Sequence, residues 1–377
     1  MAHIIQITTF FYPVHGGVEQ HVEDLSNELI KQGNEVTVFC SDSTFSKKKI
    51  KKSRDKLGKI SIRRFKTWFG LSQFYKVYPS LFFALLKADY DVVHVHTFRR
   101  FDIFVALLAA KIRRKKIVLT THNPFTANLR NTFLQIFVFL NDQILGKVFL
   151  RFVDEVICLF EEEIQILKKY HICRDKIHVI PNGISEDVFK QGSRRKFIEK
   201  LDIPTENFKY KVLWVGRINK VKGLENLETV VKQMKEALFI FIGPDADASQ
   251  EVKAIYEGCE NVVFTGPIKH NQIINAYCAA DLFVLPSIHE PFGIVLLEAM
   301  AQGLPIIATN VGGPRQIVKE SFGITQNPKD QWAWMLNIEK LLKNKKLRKQ
   351  MGENAREEAE KYRWSNLVYQ VLEAYGV

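Results

Sequence analysis

The chain has 377 residues, 46% hydrophobic and 25% charged, with a formal net charge of +13. That length suggests two domains, and the composition is that of an ordinary globular protein with a substantial core. Five scattered cysteines (Cys40, Cys158, Cys173, Cys259, Cys278) form no CxxC pair and no metal-ligand spacing, which argues for buried free thiols and against a disulfide framework.

In chain order, "HIIQITTF" (3–10) reads as a first strand, and "MAHIIQITTFFYP" lacks the charged start and cleavage site of a signal peptide. "VEQHVEDLSNELIKQG" (18–33) reads as a helix, with Val22, Leu25, Leu29 and Ile30 at helical spacing and Gly33 at its end. "NEVTVFC" (34–40), "DVVHVHT" (91–97), a helix over about 102–114, "KIVLTTH" (116–122), "DEVICLF" (154–160) and "HVIPNGI" (178–184) continue the alternation. A charged stretch (185–209) precedes a second series: "YKVLWVGRI" (210–218), a helix near 223–236, "LFIFIG" (238–243), "NVVFTG" (261–266), "DLFVLP" (281–286), "PIIAT" (305–309) and a strand near 323–325. Apolar strands alternating with helices predict two doubly wound parallel sheets, with ligands at the carboxyl ends of the strands in a cleft between facing domains. The expected domains are 1–184 and 185–360, and the helix in 361–377 has no strand left to follow in its own domain.

The charge is local. Residues 47–66, "KKKIKKSRDKLGKISIRRFK", hold eleven Lys/Arg against Asp55, so +10 of the +13 lies there. This reads either as a solvated basic loop or as a footprint for a phosphate-rich partner. With "TWFGLSQFYKVYP" (67–79) following, Lys47, Lys48, Lys51, Lys52, Arg63, Arg64 and Trp68 suit an anionic membrane surface. No nucleic-acid motif accompanies the charge. The apolar stretch 133–152 is interrupted by Asn141, Asp142, Gln143 and Lys147 and is too polar to span a bilayer. A helix over about 129–150 serves equally as core or as acceptor-binding surface. The expected location is cytoplasmic, with peripheral attachment to the membrane.

Four strand-end loops of the second series carry chemistry. In "VGRINKVKG" (215–223), Arg217 and Lys222 flanked by glycines fit a diphosphate. "FIGPDAD" (241–247) offers the Gly243 turn, and "TNVGGPRQIV" (309–318) offers Gly312 and Gly313 for close backbone approach to a ligand. "HEPFGIVLLEAM" (289–300) places Glu290 just before a helix that starts at Pro291, with Glu298 two turns in. Were all eight steps helical, roughly 12 Å would separate the two along the axis. The amides near Phe292, Gly293 and Ile294 would hold an anion between them. Either glutamate alone reads as an ordinary helix-start acid or a buried acid paired to a cation. Beside Arg217, Lys222 and the paired glycines, a nucleotide-sugar site is the stronger reading.

These motifs resemble a known family. Glu290 and Glu298 form the E-x7-E signature of retaining GT-B glycosyltransferases, and "EPFGIVLLEAMAQGLPIIATNVGG" is similar to glycosyltransferase family 4 almost throughout. "FFYPVHGGVEQHVEDLSNELIKQGNEVTVFC", "VIPNGI" and "GRINKVKG" extend the resemblance over essentially the whole chain. The resemblance implies a GT-B fold and retaining, metal-independent transfer of a hexose-type sugar from a UDP- or GDP-linked donor. Glu290 would contact the donor sugar, Glu298 the ribose, and Arg217 with Lys222 the diphosphate. Gly16 and Gly17 would lie against the phosphates, His122 by the anomeric centre, and the last helix would cross back to the N-terminal domain. A lipid-linked or phosphorylated acceptor is expected. Ser185, Pro244 and Gln316 depart from the family pattern and bear on donor identity.

His94 and His96 are expected to alternate on their strand and face opposite sides, as core or cleft histidines rather than a metal pair. "VHGGVEQ" lacks the GxGxxG spacing of a dinucleotide oxidoreductase. The rival functions are a nucleotide-sugar epimerase or hydrolase of the same fold, and a non-catalytic nucleotide-sugar or membrane-surface binding protein.

Overall fold

Short β-branched and aromatic runs without polar alternation belong in sheets covered on both faces, and most strands of both sheets are buried along nearly their whole length. The computed structural model describes residues 1–45, 48–70, 75–122, 141–201 and 205–377. Lys47, residues 71–74 of the aromatic segment and residues 123–140 of the expected 129–150 helix lie outside the described residues. The chain divides into two units, Met1–Gly183 with Trp364–Val377, and Ile184–Arg363.

In the first unit the strands are β1 (His3–Ile7), β2 (Glu35–Ser41), β3 (Arg54–Leu57), β4 (Ile60–Phe65), β5 (Phe69–Gly70), β6 (Lys76–Val77), β7 (Val92–His96), β8 (Lys116–Thr120), β9 (Glu155–Cys158) and β10 (Ile177–Val179). Eight of them form one sheet in the order β10-β9-β8-β7-β1-β2-β4-β3. All its pairings are parallel except β3 on β4. The order reverses between β1 and β7, the place where doubly wound sheets open their binding crevice.

Strand parity sorts the core into two faces. Ile5, Val93, Val95, Ile117 and Leu119 pack with Tyr78, Leu81 and Ile103 on one side. Ile4, Val92 and Val118 pack on the other with Leu25 and Leu29 of the Gly17–Lys31 helix and with Trp364, Val368 and Val371 of the closing Trp364–Tyr375 helix. The closing helix therefore has a sheet face after all, on the strands of the first unit. Its Trp364 is 2% exposed, and a Cβ added at Gly183 would sit 2.7 Å from its ring.

The basic stretch is not one loop. Residues 54–65 form an antiparallel hairpin at the sheet edge, turning through Gly58 at φ +57°. A charged edge strand resists pairing with other chains. Arg64, expected at a surface, has a fully buried side chain. Its two Nη groups donate to Tyr12 O at 2.5 Å, Lys52 O at 3.0 Å and Asp55 Oδ2 at 3.2 Å. Arg63 is half-buried, its guanidinium 5.2 Å from the centroid of Phe65. Lys48, Lys51, Lys52 and Trp68 are exposed as expected.

The second unit holds β11 (Tyr210–Val215), β12 (Ala237–Ile242), β13 (Val262–Gly266), β14 (Leu282–Leu285), β15 (Ile306–Thr309) and β16 (Gly323–Gln326). They form a six-stranded parallel sheet in the order β13-β12-β11-β14-β15-β16, with the reversal between β11 and β14. The helix expected near 223–236 is broken into a 3-10 turn, Leu224–Leu227, and a short helix, Glu228–Gln233. Ile184 and Arg363, the unit's first and last residues, form a parallel bridge.

Replacing Trp364 by Ala should cost about 3–5 kcal/mol, the usual loss for emptying a large buried aromatic site. Urea unfolding followed by circular dichroism should show an early transition in W364A. Trp332→Ala, at a side chain 64% exposed, should leave the curve unchanged.

Candidate active site

The reversal between β11 and β14 places two loops of the second unit side by side, 216–223 and 286–293. Asn219 caps the Lys220–Lys222 turn, its Oδ1 accepting from Lys222 N at 3.1 Å. The Val221 carbonyl accepts from Ile288 N at 2.9 Å, which ties this turn to the neighbouring loop. Gly223, at φ +66°, makes that approach sterically possible, since a Cβ there would lie 2.1 Å from Pro286 O.

With the backbones fixed, Lys222 Nζ donates to Glu290 Oε2 at 2.6 Å, and Ser287 Oγ donates to the same oxygen at 3.1 Å. The Glu290 side chain is 8% exposed and that of Lys222 20%, so this is a charge-assisted contact in a largely desolvated setting. Arg217 stands half-buried on the same loop as Lys222. Gly243, at φ +148°, packs on Gly216, and Ile218 N donates to Pro244 O at 3.0 Å. The Gly-Pro-Asp sequence at 243–245 thus braces the Arg217 loop from behind.

Gly312 and Gly313, expected to allow close backbone approach to a ligand, also press on protein backbone. Gly313 N donates to Glu290 O at 2.9 Å, and a Cβ at Gly312 (φ +61°) would fall 2.1 Å from that same carbonyl. A Cβ at Gly313 would fall 2.2 Å from Phe292 O. The helix also starts later than expected. It runs Ile294–Ala301, because Gly293 sits in the left-handed region at φ +91° and no helical turn can pass through it. Pro291 is therefore in the loop, Glu298 is the fifth helical residue, and the separation derived from eight helical steps does not hold. Glu298 is buried, and its partner is the hydroxyl of Tyr277, 2.7 Å from Oε2, rather than a cation. Burial and the Glu298 charge push the Tyr277 pKa well up, so the phenol stays a donor.

In the first unit Gly16 is the N-cap of the Gly17–Lys31 helix, and a Cβ there would meet Glu19 Oε2 at 2.4 Å, whereas Gly17 has open space. His122 follows β8 in the left-handed region, φ +53°, and is 7% exposed. Its Nε2 lies 3.1 Å from His96 Nδ1. His94 and His96 do not face opposite sides. Residues two apart on a strand share a face, and their ring centroids are 4.1 Å apart. His94 Nδ1 meets Tyr375 Oη of the closing helix at 2.7 Å, and His96 Nε2 meets Gln6 Oε1 of β1 at 2.5 Å. His21 joins the group edge-on, 4.7 Å from His122 and 5.2 Å from His96 between centroids. Burial lowers the pKa of all four, that of His21 to about 3.

His21, His96 and His122 place nitrogens within 4.8 Å of one another and form the one metal-capable cluster among the described residues. His96 and His122 already spend their facing nitrogens on each other. His96 and His122 are satisfied as hydrogen-bonded neutral imidazoles, and His21 packs edge-on against them.

Sequence reasoning missed Asn219, Ser287, Tyr277, Gln6, His21 and Tyr375. Asn219 had a signal, an N-cap residue three positions before Lys222, and Ser287 stands three before Glu290. Tyr277 and Tyr375 come from distant helices, and nothing in their spacing pointed to Glu298 or His94.

The family description "Glycosyl transferases group 1" matches residues 193–358, and "Glycosyltransferase Family 4" matches residues 15–188. An uncharacterized glycosyltransferase of Methanocaldococcus jannaschii is 27% identical over 392 aligned residues, covering 99% of this chain and 98% of that one. The sulfoquinovosyl transferase of Arabidopsis thaliana is 38% identical over 157 residues, which is 41% of this chain and 30% of that protein. Among solved structures, that of Anabaena HepE in complex with UDP and glucose superposes with a TM-score of 0.78 at 19% identity, covering 100% of both chains. With two parallel-sheet Rossmann-like units and two adjoining family matches, the chain belongs to the GT-B glycosyltransferases of the family 4 type.

Proposed function

We propose that this protein is a retaining glycosyltransferase that moves a hexose-type sugar from a UDP- or GDP-linked donor to an acceptor hydroxyl without a metal ion. The observation that carries the reading is the Lys222–Glu290 pair at 2.6 Å, held at the carboxyl ends of two parallel strands. Departure of a nucleoside diphosphate builds negative charge on its oxygens. Lys222 and Arg217 on one preorganised loop are suited to stabilise that charge. Glu290 holds Lys222 in place. A diphosphate would take over the lysine and free the Glu290 carboxylate for the sugar. Glu298, oriented by Tyr277, would hold the ribose, and His122 would stand by the anomeric centre. Sugar transfer with retention then proceeds through an oxocarbenium-like state, with a departing phosphate oxygen as proton acceptor. The UDP and glucose in the Anabaena HepE structure support a nucleotide-sugar donor.

The acceptor reading is a lipid-linked or phosphorylated molecule met at an anionic membrane surface. No helix among the described residues is long and apolar enough to cross a membrane. Exposed Lys48, Lys51 and Lys52 lie in the same edge region as Trp68 and Phe69, which are 68% and 54% exposed. Lys49, from that region, donates to Thr67 O at 3.1 Å and so joins the basic and aromatic segments. Cations with adjacent exposed aromatics are the chemistry that binds anionic head groups.

Calorimetric titration with UDP, GDP and ADP in the presence of EDTA should show binding of one nucleotide. Lys222→Ala should weaken it about 10–100-fold, the loss of one charge-assisted contact. Failure of all three nucleotides to bind would sink the catalytic reading. Replacing Lys48, Lys51 and Lys52 by Ala should lower affinity for phosphatidylserine-containing vesicles by about two orders of magnitude, at about 1 kcal/mol per charge. Unchanged vesicle binding would remove the membrane from the proposal.

A further inference from the structure

The His94–His96–His122 group is more than a satisfied core, because its hydrogen bonds form one unbroken chain. Thr120 Oγ1 lies 2.7 Å from His94 Nε2, and Tyr375 Oη lies 2.7 Å from His94 Nδ1. Gln6 Nε2 donates to Tyr375 Oη at 3.1 Å, Gln6 Oε1 lies 2.5 Å from His96 Nε2, and His96 Nδ1 lies 3.1 Å from His122 Nε2. All six residues are buried. A bond between two neutral imidazoles needs one N–H and one lone pair, so each link dictates the next.

Start from Gln6. Its carbonyl oxygen can only accept, so His96 must carry its proton on Nε2. His96, kept neutral by burial, then offers Nδ1 as a lone pair. His122, likewise kept neutral by burial, with the Arg100 charge acting in the same direction, must fill that bond with Nε2–H, and its Nδ1 is left bare. At the other end Tyr375 accepts from Gln6 and donates to His94 Nδ1, and His94 Nε2–H donates to Thr120. Each link then pairs one donor with one acceptor. Turning the Gln6 carboxamide over would reverse every link and move the His122 proton to Nδ1. The whole arrangement therefore hangs on the one side chain in the chain whose two ends differ in kind.

We propose that Gln6, acting through His96, is a positioning residue that fixes the His122 tautomer as Nε2–H, leaving Nδ1 as a bare acceptor for a donor-sugar hydroxyl. The Tyr375 hydroxyl of the closing helix bonds the amide end of the same Gln6 carboxamide, at 3.1 Å, and so ties His94 to the chain. In neutral histidines the proton follows the partner of the other nitrogen, and here that partner is fixed two residues away. The role assigned to the bare Nδ1 rests on the reading of His122 as the residue beside the donor sugar. The proton arrangement itself does not.

The test is ¹⁵N NMR of histidine-labelled protein without ligand, with the His122 signals assigned by their loss in His122→Asn. The wild-type protein should show a protonated, pyrrole-type Nε2 and a bare, pyridine-type Nδ1 at His122. Gln6→Met removes the acceptor and should give a mixture of both tautomers at His96 and His122. Gln6→Glu, which as a carboxylate presents only acceptor oxygens, should restore the wild-type pattern at His96 and His122, while Tyr375 turns to donate to it. A protonated Nδ1 at His122 in the wild-type protein, or a Gln6→Met spectrum identical to wild type, overturns the proposal. Should Gln6→Met fail to fold by near-UV circular dichroism, the wild-type spectrum and Gln6→Glu still decide it. UDP, GDP and ADP titrations on the same sample separate the two readings. No nucleotide binding with Nε2–H at His122 would remove the sugar-transfer role and leave the proton arrangement standing.

Discussion

Glu290 is buried and carries a carboxylate, and such a group is stable in a folded chain only where cations and donors converge on it. The second unit is arranged around that requirement. The side chain takes Lys222 and Ser287, and the main-chain carbonyl takes Gly313 N. These contacts need three strand-end loops to approach more closely than side chains normally allow, and Gly223, Gly312 and Gly313 stand where a Cβ would collide with Pro286, Glu290 and Phe292. Asn219 then fixes the turn that presents Lys222. Removing either charge would strand the other without its partner, so the pair orders the loops as well as joining them.

The first unit solves a related problem in the opposite way. Its polar cluster carries no formal charge, because burial holds the four imidazoles neutral. Neutral groups escape the desolvation penalty of ions, but their bonds must be saturated in sequence, donor to acceptor. Tyr375 and Gln6 link His94 to His96 within that sequence, and Thr120 ends it beyond His94. This is also why the closing helix returns to the first unit with a tyrosine near its end. Trp364 and Val368 supply apolar burial, while Tyr375 completes the polar chain.

The architecture was legible because it is written locally. Each strand is an apolar run between turn residues, and the core ranges of β1, β7, β11 and β14 fall inside the segments read from the sequence. The residues Glu290, Lys222, Arg217 and His122 were legible as types at strand ends. What eluded the sequence was of two physical kinds. Local backbone geometry overrode a propensity rule at Pro291, where Gly293 in the left-handed region delays the helix to Ile294. Partnerships across long separations, Tyr277 with Glu298 and Tyr375 with His94, carry no periodic signature. The misreading of His94 and His96 was of another sort, since a period of two places them on one face, and their 4.1 Å centroid distance follows from it.

The basic stretch shows why a charge count overstates a contact surface. Of the residues in 47–66, Arg64 is spent inside the fold on Tyr12, Lys52 and Asp55, and Arg63 leans over Phe65. Lys52 pairs with Asp55 at 2.5 Å, and Lys49 reaches Thr67 O. These cations still add to the long-range field, which decays over about 8 Å at physiological salt. A buried guanidinium cannot meet a head group, however, so contact falls to the exposed lysines and to Trp68 and Phe69. Within the proposed surface role, the arginines shape the edge hairpin, and the lysines and aromatics it displays do the binding.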